Sequence, residues 1–66
     1  MGNYMKDNII VGYYQDRAIV QNEDGTLYYF NCPENLIPIG AVADEGLLSL
    51  EFMEDEEREE ILRRFG

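Results

Sequence analysis

Residues 18–31 read AIVQNEDGTLYYFN and carry the clearest structural signal in the chain. The β-branched and aromatic residues on either side of the acidic centre favour β-strands. Asp24-Gly25 supplies the positive φ angle that a tight hairpin turn requires. The sequence therefore predicts two antiparallel strands, at about 17–22 and 26–31, joined by a turn at Glu23-Asp24-Gly25.

Another strand is predicted on the amino-terminal side, at about 8–15, where the sequence reads NIIVGYYQ. Asp16-Arg17 forms the polar turn that would connect it to the next strand. Both alternating faces of this strand are apolar, so it is either central in a sheet or part of a small barrel. Gly12 would permit a sharp bend or a bulge.

The segment after residue 31 is irregular, because Pro33 removes a ladder donor and restricts Cys32. An apolar connection, LIPIG at 36–40, is of a kind that crosses a barrel end or packs beneath a helix. Short strands are predicted at about 41–43 and 47–52. In the second of these, Leu48, Leu50 and Phe52 alternate onto one face.

The carboxyl-terminal segment is rich in charged residues, in contrast to the preceding strands, and predicts a helix at about 54–65. Carboxylates crowd its start and Arg63-Arg64 lie near its end, an arrangement that the helix dipole favours. Ile61, Leu62 and Phe65 would form the apolar face that docks on the sheet.

Together these elements predict one domain, residues 1–66, that is mainly β with a single carboxyl-terminal α-helix. The expected architecture is a small SH3-like or OB-like barrel, or a curved antiparallel sheet of four to five strands. The helix would cover one open end.

Composition limits the function classes. The chain has 66 residues, with 14 Asp and Glu against 5 Lys and Arg, and a net charge of -9. Nucleic-acid and anionic-membrane binders need basic residues against phosphate, so neither partner is expected. One cysteine and no histidine provide neither an intrachain disulfide nor a structural zinc site. A core this thin is expected to gain support from a homodimer.

The location expected from the sequence is cytoplasmic. No apolar run follows Lys6, as a secretory signal would require, and no run approaches the length of a membrane span. The lone Cys32 agrees with a reducing compartment.

Catalysis and cofactor binding are not expected. Histidine is absent, Ser49 is the sole serine and Thr26 the sole threonine, so a hydrolase triad cannot be assembled. Cys32 has no neighbouring cation to stabilise a thiolate and is interpreted as structural.

The acidic cluster at residues 51–60 has three interpretations. It could bind a divalent cation, although the spacing around Gly25 does not fit a calcium loop. It could imitate the phosphates of nucleic acid through its helix carboxylates and so occupy a basic groove on another protein. It could also be a solvated face. The carboxylates that would carry the second interpretation are Glu56, Glu57, Glu59 and Glu60.

Aromatic residues are numerous for so small a core, so some should be exposed or buried between subunits. The acidic surroundings favour a protein partner or a second copy over a nucleic acid. The candidate contact residues on the sheet are Tyr13, Tyr14, Tyr28 and Tyr29.

The order of these signals resembles domain-of-unknown-function family 3006, a family of small bacterial proteins. The similar stretch runs from Ile9 to Phe65. The pieces that carry it are turns and core positions: Tyr13 with Asp16 and Ala18-Ile19-Val20, Glu23-Asp24-Gly25, Ile37-Pro38-Ile39-Gly40-Ala41, Glu45-Gly46 and the charged tail to Phe65. The resemblance implies no catalytic residues.

The expected function is a non-catalytic, self-associating module that binds a protein partner. The alternative is an acidic nucleic-acid mimic that inhibits a basic protein, such as a phage-type anti-defence factor. Binding of a small ligand is a third, weaker interpretation.

Overall fold

The computed structural model describes residues 8–66. Its strands form one antiparallel sheet in the order β1-β2-β3-β4, and a 3-10 helix and an α-helix follow. More of the described residues lie in strands than in the α-helix. The elements are β1 (Ile9–Tyr13), β2 (Arg17–Gln21), β3 (Leu27–Asn31), β4 (Leu48–Ser49), the 3-10 helix (Leu50–Phe52) and α1 (Asp55–Phe65).

The sheet is open, so the curved-sheet alternative with four strands is confirmed in its strand count and the barrel alternative is wrong. β4 contains only two residues, which pair with Tyr28 and Tyr29 of β3. A barrel needs its last strand to reach the first. Here β1 and β4 remain at opposite edges.

The hairpin between β1 and β2 has a two-residue turn. Tyr14 and Arg17 exchange two backbone hydrogen bonds of 2.9 and 3.0 Å. Gln15 and Asp16, with φ angles of 48° and 62°, lie in the left-handed region, as a type I′ turn requires. The turn therefore lies one residue earlier than the predicted Asp16-Arg17 turn.

The hairpin between β2 and β3 confirms the predicted turn. The Gly25 amide donates to the Asn22 carbonyl at 2.9 Å, and the Asn22 amide donates to the Thr26 carbonyl at 2.8 Å. Gly25 has a φ of 93°, in the region that glycine adopts without strain. In the resulting register Ile19 lies opposite Tyr29.

Gly12 lies at a bulge in β1, where the pairing with β2 shifts between Ile10 and Gly12. A Cβ atom at Gly12 would lie 2.8 Å from Cζ of Phe65, well inside van der Waals contact. The glycine therefore makes room for the aromatic ring at the end of α1. The bulge that the sequence permitted at Gly12 is confirmed. The side chain that packs against Gly12 is Phe65.

The predicted strand at 47–52 is wrong beyond residue 49, because the chain turns into the 3-10 helix. Ser49 Oγ accepts a hydrogen bond from the Glu51 amide, and the Met53 amide donates to the Leu50 carbonyl. Leu50 and Met53, three residues apart, are both buried, whereas Phe52 is 70% exposed. Burial at helical spacing prevails here over the apparent alternation of Leu48, Leu50 and Phe52.

The predicted strand at 41–43 is wrong, because these residues do not form a regular strand. They run beside β1 through a single bridge between Ile9 and Val42. The Ile10 amide donates to the Ala41 carbonyl, the Gly40 amide to the Ile10 carbonyl and the Ala43 amide to the Asn8 carbonyl, at 2.8–2.9 Å. These bonds cover the outer edge of β1.

Helix α1 begins at Asp55, within one residue of the predicted start, and ends where Gly66 donates its amide to the Leu62 carbonyl. Its first turn is acidic and its last turn carries Arg63 and Arg64. Both features complement the helix dipole, as predicted. Ile61 is the fully buried residue on its inner face.

Two buried clusters lie on opposite faces of the sheet. The helix face is covered by α1 and the 3-10 helix, and the strap face is covered by residues 33–47, which we call the strap. The helix-face cluster contains Ile19, Leu27, Tyr29, Leu50, Met53 and Ile61. The strap-face cluster contains Ile10, Ala18, Val20 and Cys32, with Ile37, Ala43 and Leu47 of the strap packed against it.

Among residues 8–66, no helix has the length and apolar character that crossing a membrane requires.

Candidate interaction surfaces

The four candidate tyrosines do not form one exposed surface. Tyr29 is only 6% exposed and belongs to the helix-face cluster, so its ring is part of the core of the domain. Tyr14 packs on the same cluster, and Tyr13 and Tyr28 pack on the strap-face cluster. The sheet thus divides the four side chains between its two faces, as alternation along each strand dictates.

Tyr14 and Tyr29 also contact arginines. The Arg64 guanidinium lies 5.5 Å from the ring centroid of Tyr14, and that of Arg17 lies 6.0 Å from the ring of Tyr29. Both distances allow cation-π attraction. The ring of Tyr14 therefore contacts α1 through Arg64, and the ring of Tyr29 contacts β2 through Arg17. Both rings already have partners within the fold.

Tyr13 is engaged through its hydroxyl group. The hydroxyl donates to the Ile37 carbonyl at 2.6 Å and accepts from the Ile37 amide at 3.0 Å. Cys32 Sγ lies 3.8 Å away. Burial raises the pKa of Tyr13; the bond to the Ile37 backbone lowers that pKa in part, and the neighbouring Cys32 raises it further. The tyrosine keeps its proton across the neutral range and ties the strap to β1.

The four candidate carboxylates of the helix also differ in their contacts, because two of them pair with arginines. Glu57 forms an ion pair with Arg17 of β2 at 3.2 Å. Glu60 accepts from Arg64 Nε at 2.6 Å and also pairs with Arg63. Hydrogen bonds from Arg64 and then Arg63 hold the pKa of Glu60 below its ordinary value. Two of the four candidate acids are thus neutralised by arginines of the chain itself.

Glu56 and Glu59 are exposed, and neither has an ion pair among the described residues. The helical repeat places them on the outer side of α1, away from Ile61. Arg58, the remaining arginine, pairs with Asp55. All the arginines of the chain are therefore paired with carboxylates, and the outer face of α1 retains an excess of negative charge.

The strap exposes apolar side chains that the sequence did not single out as contacts. Leu36 is 67% exposed, Ile39 is 62% exposed and Val42 is 54% exposed. The apolar LIPIG run was the available signal, but it predicts burial throughout the segment. In the structure Ile37 packs inward while its neighbours on the strap face solvent.

Three further apolar residues are exposed on other elements. Phe52, at 70%, belongs to the 3-10 helix, and Leu48 and Leu62 are 39% and 48% exposed. They are distributed over three elements, whereas the strap residues lie within seven positions of the chain. Within the part of the chain that the structure describes, the strap is therefore the densest run of exposed large apolar side chains in sequence.

The single cysteine of the chain is a buried free thiol. Cys32 is 4% exposed, and its Sγ donates to the Pro33 carbonyl at 3.5 Å. Its position between β3 and the strap agrees with a structural thiol. Among residues 8–66, no three His, Cys, Asp or Glu side chains converge as metal ligands would.

Comparisons of the chain with protein-family models, with curated proteins and with solved structures gave no match. The surfaces that remain as candidates are the exposed apolar side chains of the strap and the outer carboxylates of α1.

Proposed function

We propose that the chain is a non-catalytic protein-interaction module that associates with a second copy of itself through the strap. The observation that carries this proposal is the exposure of Leu36, Ile39 and Val42, at 67%, 62% and 54%. Each large aliphatic side chain that is fully buried contributes about 1.5–3 kcal/mol, so covering three of them is a substantial driving force. A contact between two copies would bury these three side chains on both copies.

The small core supports the same proposal. Within residues 8–66 the strap-face cluster has four buried residues, and one of these is alanine. Domains of this length hide a smaller fraction of their apolar surface than larger domains do. Association over the strap would extend the strap-face cluster into a shared core.

Charge sets how such an association responds to salt. The strap carries exposed acidic residues at Glu34, Asp44 and Glu45, and each copy has a net charge of -9. Two copies therefore repel each other, and salt screens that repulsion. Self-association through apolar side chains should strengthen as salt is added.

Sedimentation equilibrium under reducing conditions tests the proposal over micromolar concentrations and several salt concentrations. We expect a dimer that tightens with salt and that Ile39→Ser weakens by roughly tenfold or more, as loss of an apolar anchor does. Phe52→Ser is the matched control, because Phe52 is at least as exposed as Ile39 but lies on the 3-10 helix. A monomer at all concentrations, or equal weakening by both variants, would contradict association through the strap.

A second candidate function is mimicry of nucleic acid, and it is favoured by the outer carboxylates of α1, which form no ion pair with any residue from 8 to 66. Glu56 and Glu59 would present charge to a basic protein, whereas Glu57 and Glu60 are occupied by arginines. Electrostatic recognition of this kind weakens with salt, the reverse of the dependence expected for association through the strap.

Displacement of a fluorescent DNA duplex from a purified basic DNA-binding protein tests mimicry. If the helix is the active surface, Glu56→Gln with Glu59→Gln should abolish displacement. The paired control, Glu57→Gln with Glu60→Gln, should retain most of it. Equal loss in both double variants would show that only net charge matters, and no displacement by the wild type would reject the mimic.

Three expectations from the sequence stay predictions: that the chain does not bind DNA or RNA, that it is cytoplasmic, and that it resembles domain-of-unknown-function family 3006. Direct titration with single-stranded and duplex probes tests the first. Salt-sensitive binding would overturn it.

A further inference from the structure

We propose that Tyr13 is a latch that fixes the strap on the sheet and thereby sets how its apolar side chains are presented. The ring of Tyr13 packs on the strap-face cluster, and its hydroxyl bonds both the amide and the carbonyl of Ile37. One side chain thus satisfies both backbone polar groups of Ile37, in the first half of the strap. The role of this latch in association rests on the proposed function.

The rest of the strap is anchored elsewhere. Residues 40–43 pair with β1 through the backbone, and Cys32 donates its amide to the Asp16 carbonyl at 3.0 Å. Between these anchors, the Leu36 amide donates to the Pro33 carbonyl within the strap itself. Among the hydrogen bonds of residues 8–66, those of the Tyr13 hydroxyl are the ones that tie residues 34–39 to the sheet.

Release of the latch would therefore have a local effect. Residues 34–39 would lose their bonds to β1, while the pairing at 40–43 and the two hairpins would remain. Local opening of this kind is governed by the few contacts that hold the segment. Leu36 and Ile39 flank the latched residue, so their orientation depends on the latch being closed.

Cys32 reports on the opening without any added label. Its thiol is 4% exposed beneath the strap, and Tyr13 Oη is 3.8 Å away. A thiol reagent such as 5,5′-dithiobis(2-nitrobenzoic acid) can react only when the strap lifts or the whole chain unfolds. The reaction rate at fixed pH therefore measures the population of open forms.

Tyr13→Phe is the variant that tests the latch, because it removes the hydroxyl and keeps the ring. Loss of these bonds should raise the Cys32 reaction rate roughly tenfold, the factor expected when a buried backbone group loses its partner. Tyr28→Phe is the matched control, since Tyr28 packs on the same cluster, and its rate should stay within about twofold of wild type.

Two measurements separate local opening from global unfolding and from failure of the proposed function. If the Tyr13→Phe rate rises only in proportion to the global unfolding equilibrium in urea, the latch is overturned. If the wild type is monomeric, association through the strap fails while the reaction rate still decides the latch. If Tyr13→Phe opens the strap but dimerises as wild type does, the link between latch and presentation is overturned, and self-association stands.

Discussion

The two faces of the sheet are closed by different kinds of structure. The helix face is covered by α1, which satisfies its own backbone hydrogen bonds and needs to contribute only side chains such as Ile61 and Phe65. The strap face is covered by an irregular segment, whose backbone polar groups must find partners one at a time. Tyr13 and the edge of β1 supply some of those partners, and bonds within the strap, such as Leu36 to Pro33, supply others.

This difference explains where each kind of residue is needed. A regular cover requires apolar residues at the right spacing and a place for its largest ring, which Gly12 provides for Phe65. An irregular cover requires in addition a polar side chain at one particular position, here the half-buried Tyr13. The helix face should therefore depend on volume, and the strap face should depend in addition on a single hydroxyl.

The largest expected effect comes from removing volume from each face. Ile61 and Ile10 are both fully buried, on the helix face and the strap face respectively. We expect Ile61→Ala to lower the free energy of unfolding by about 4 kcal/mol and Ile10→Ala by about 3 kcal/mol, because the irregular strap can relax into a cavity more readily than a helix can. Urea denaturation measures both values.

A chain of this size has a total stability on the order of 3–10 kcal/mol, so either variant could be largely unfolded in water. Ile61→Val and Ile10→Val then give the comparison at about 0.5–1.5 kcal/mol each. A larger loss at Ile10 than at Ile61 in either pair would contradict the view that the strap face is the more adaptable one.

The next effect concerns the space that Gly12 leaves for the ring of Phe65. Gly12→Ala should destabilise by about 2 kcal/mol, because the added methyl group occupies the position of the Phe65 ring. In a Phe65→Leu background the same change should cost less than half as much. Equal costs in the two backgrounds, measured by a double-mutant cycle in urea, would mean that the glycine serves the bulge of β1 and not the aromatic ring.

A smaller effect distinguishes the strap face by its pH dependence. Burial raises the pKa of Tyr13 above the value of about 10 that tyrosine has in an unfolded chain. The contribution of this group to stability is therefore complete below about pH 10 and is lost as pH rises through the folded-state pKa. Wild type should lose its stability advantage over Tyr13→Phe between pH 10 and the alkaline limit of folding.

Urea titrations of the two proteins at a series of pH values measure this difference directly. The other tyrosines are common to both, so their ionisation cancels in the comparison. A gap between the two proteins that stays constant up to alkaline unfolding would show that the hydroxyl proton does not hold the strap.

The smallest effect belongs to the helix face. Arg64 and Arg63 hold the pKa of Glu60 below that of an unfolded glutamate. The stabilisation from this carboxylate is present above about pH 4.5 and is lost as pH falls through the lower folded-state pKa. Glu60→Gln should therefore flatten the acid limb of the stability curve slightly, since exposed ion pairs contribute little.

Glu59→Gln is the control, because Glu59 has no ion pair among residues 8–66 and should leave that limb unchanged. Thermal unfolding monitored between pH 3 and pH 6 is sufficient to compare the two variants. Identical acid limbs for wild type and Glu60→Gln would show that the arginines do not bind this carboxylate tightly in solution.

The sequence predicted the regular part of the fold because local signals and burial agree there. The Asp24-Gly25 turn, the strands beside it and the acidic start of α1 each follow from short-range chemistry. The segment from Leu48 to Phe52 was mispredicted because its alternation fits a strand, while the spacing of Leu50 and Met53 fits the core. Only the tertiary contact decides between them.

The candidate surfaces were less predictable than the fold. Composition shows that some aromatic residues must be exposed or shared, but it cannot assign Tyr29 to the helix face or tie Tyr13 to Ile37. The ion pair between Arg17 and Glu57 joins positions 40 residues apart in the numbering, so helical spacing cannot reveal it. Which acids remain unpaired depends on such long-range contacts.

The way in which the two edges of the sheet are covered or shortened has a consequence for aggregation. Open sheets grow by recruiting strands from other chains, and long unprotected edges promote fibre formation. Here residues 40–43 occupy part of the outer side of β1, and β4 offers only two residues at the opposite edge. The folded protein is consequently a poor template for cross-β stacking, and fibrils should form only under conditions that first dismantle the strap or unfold the sheet.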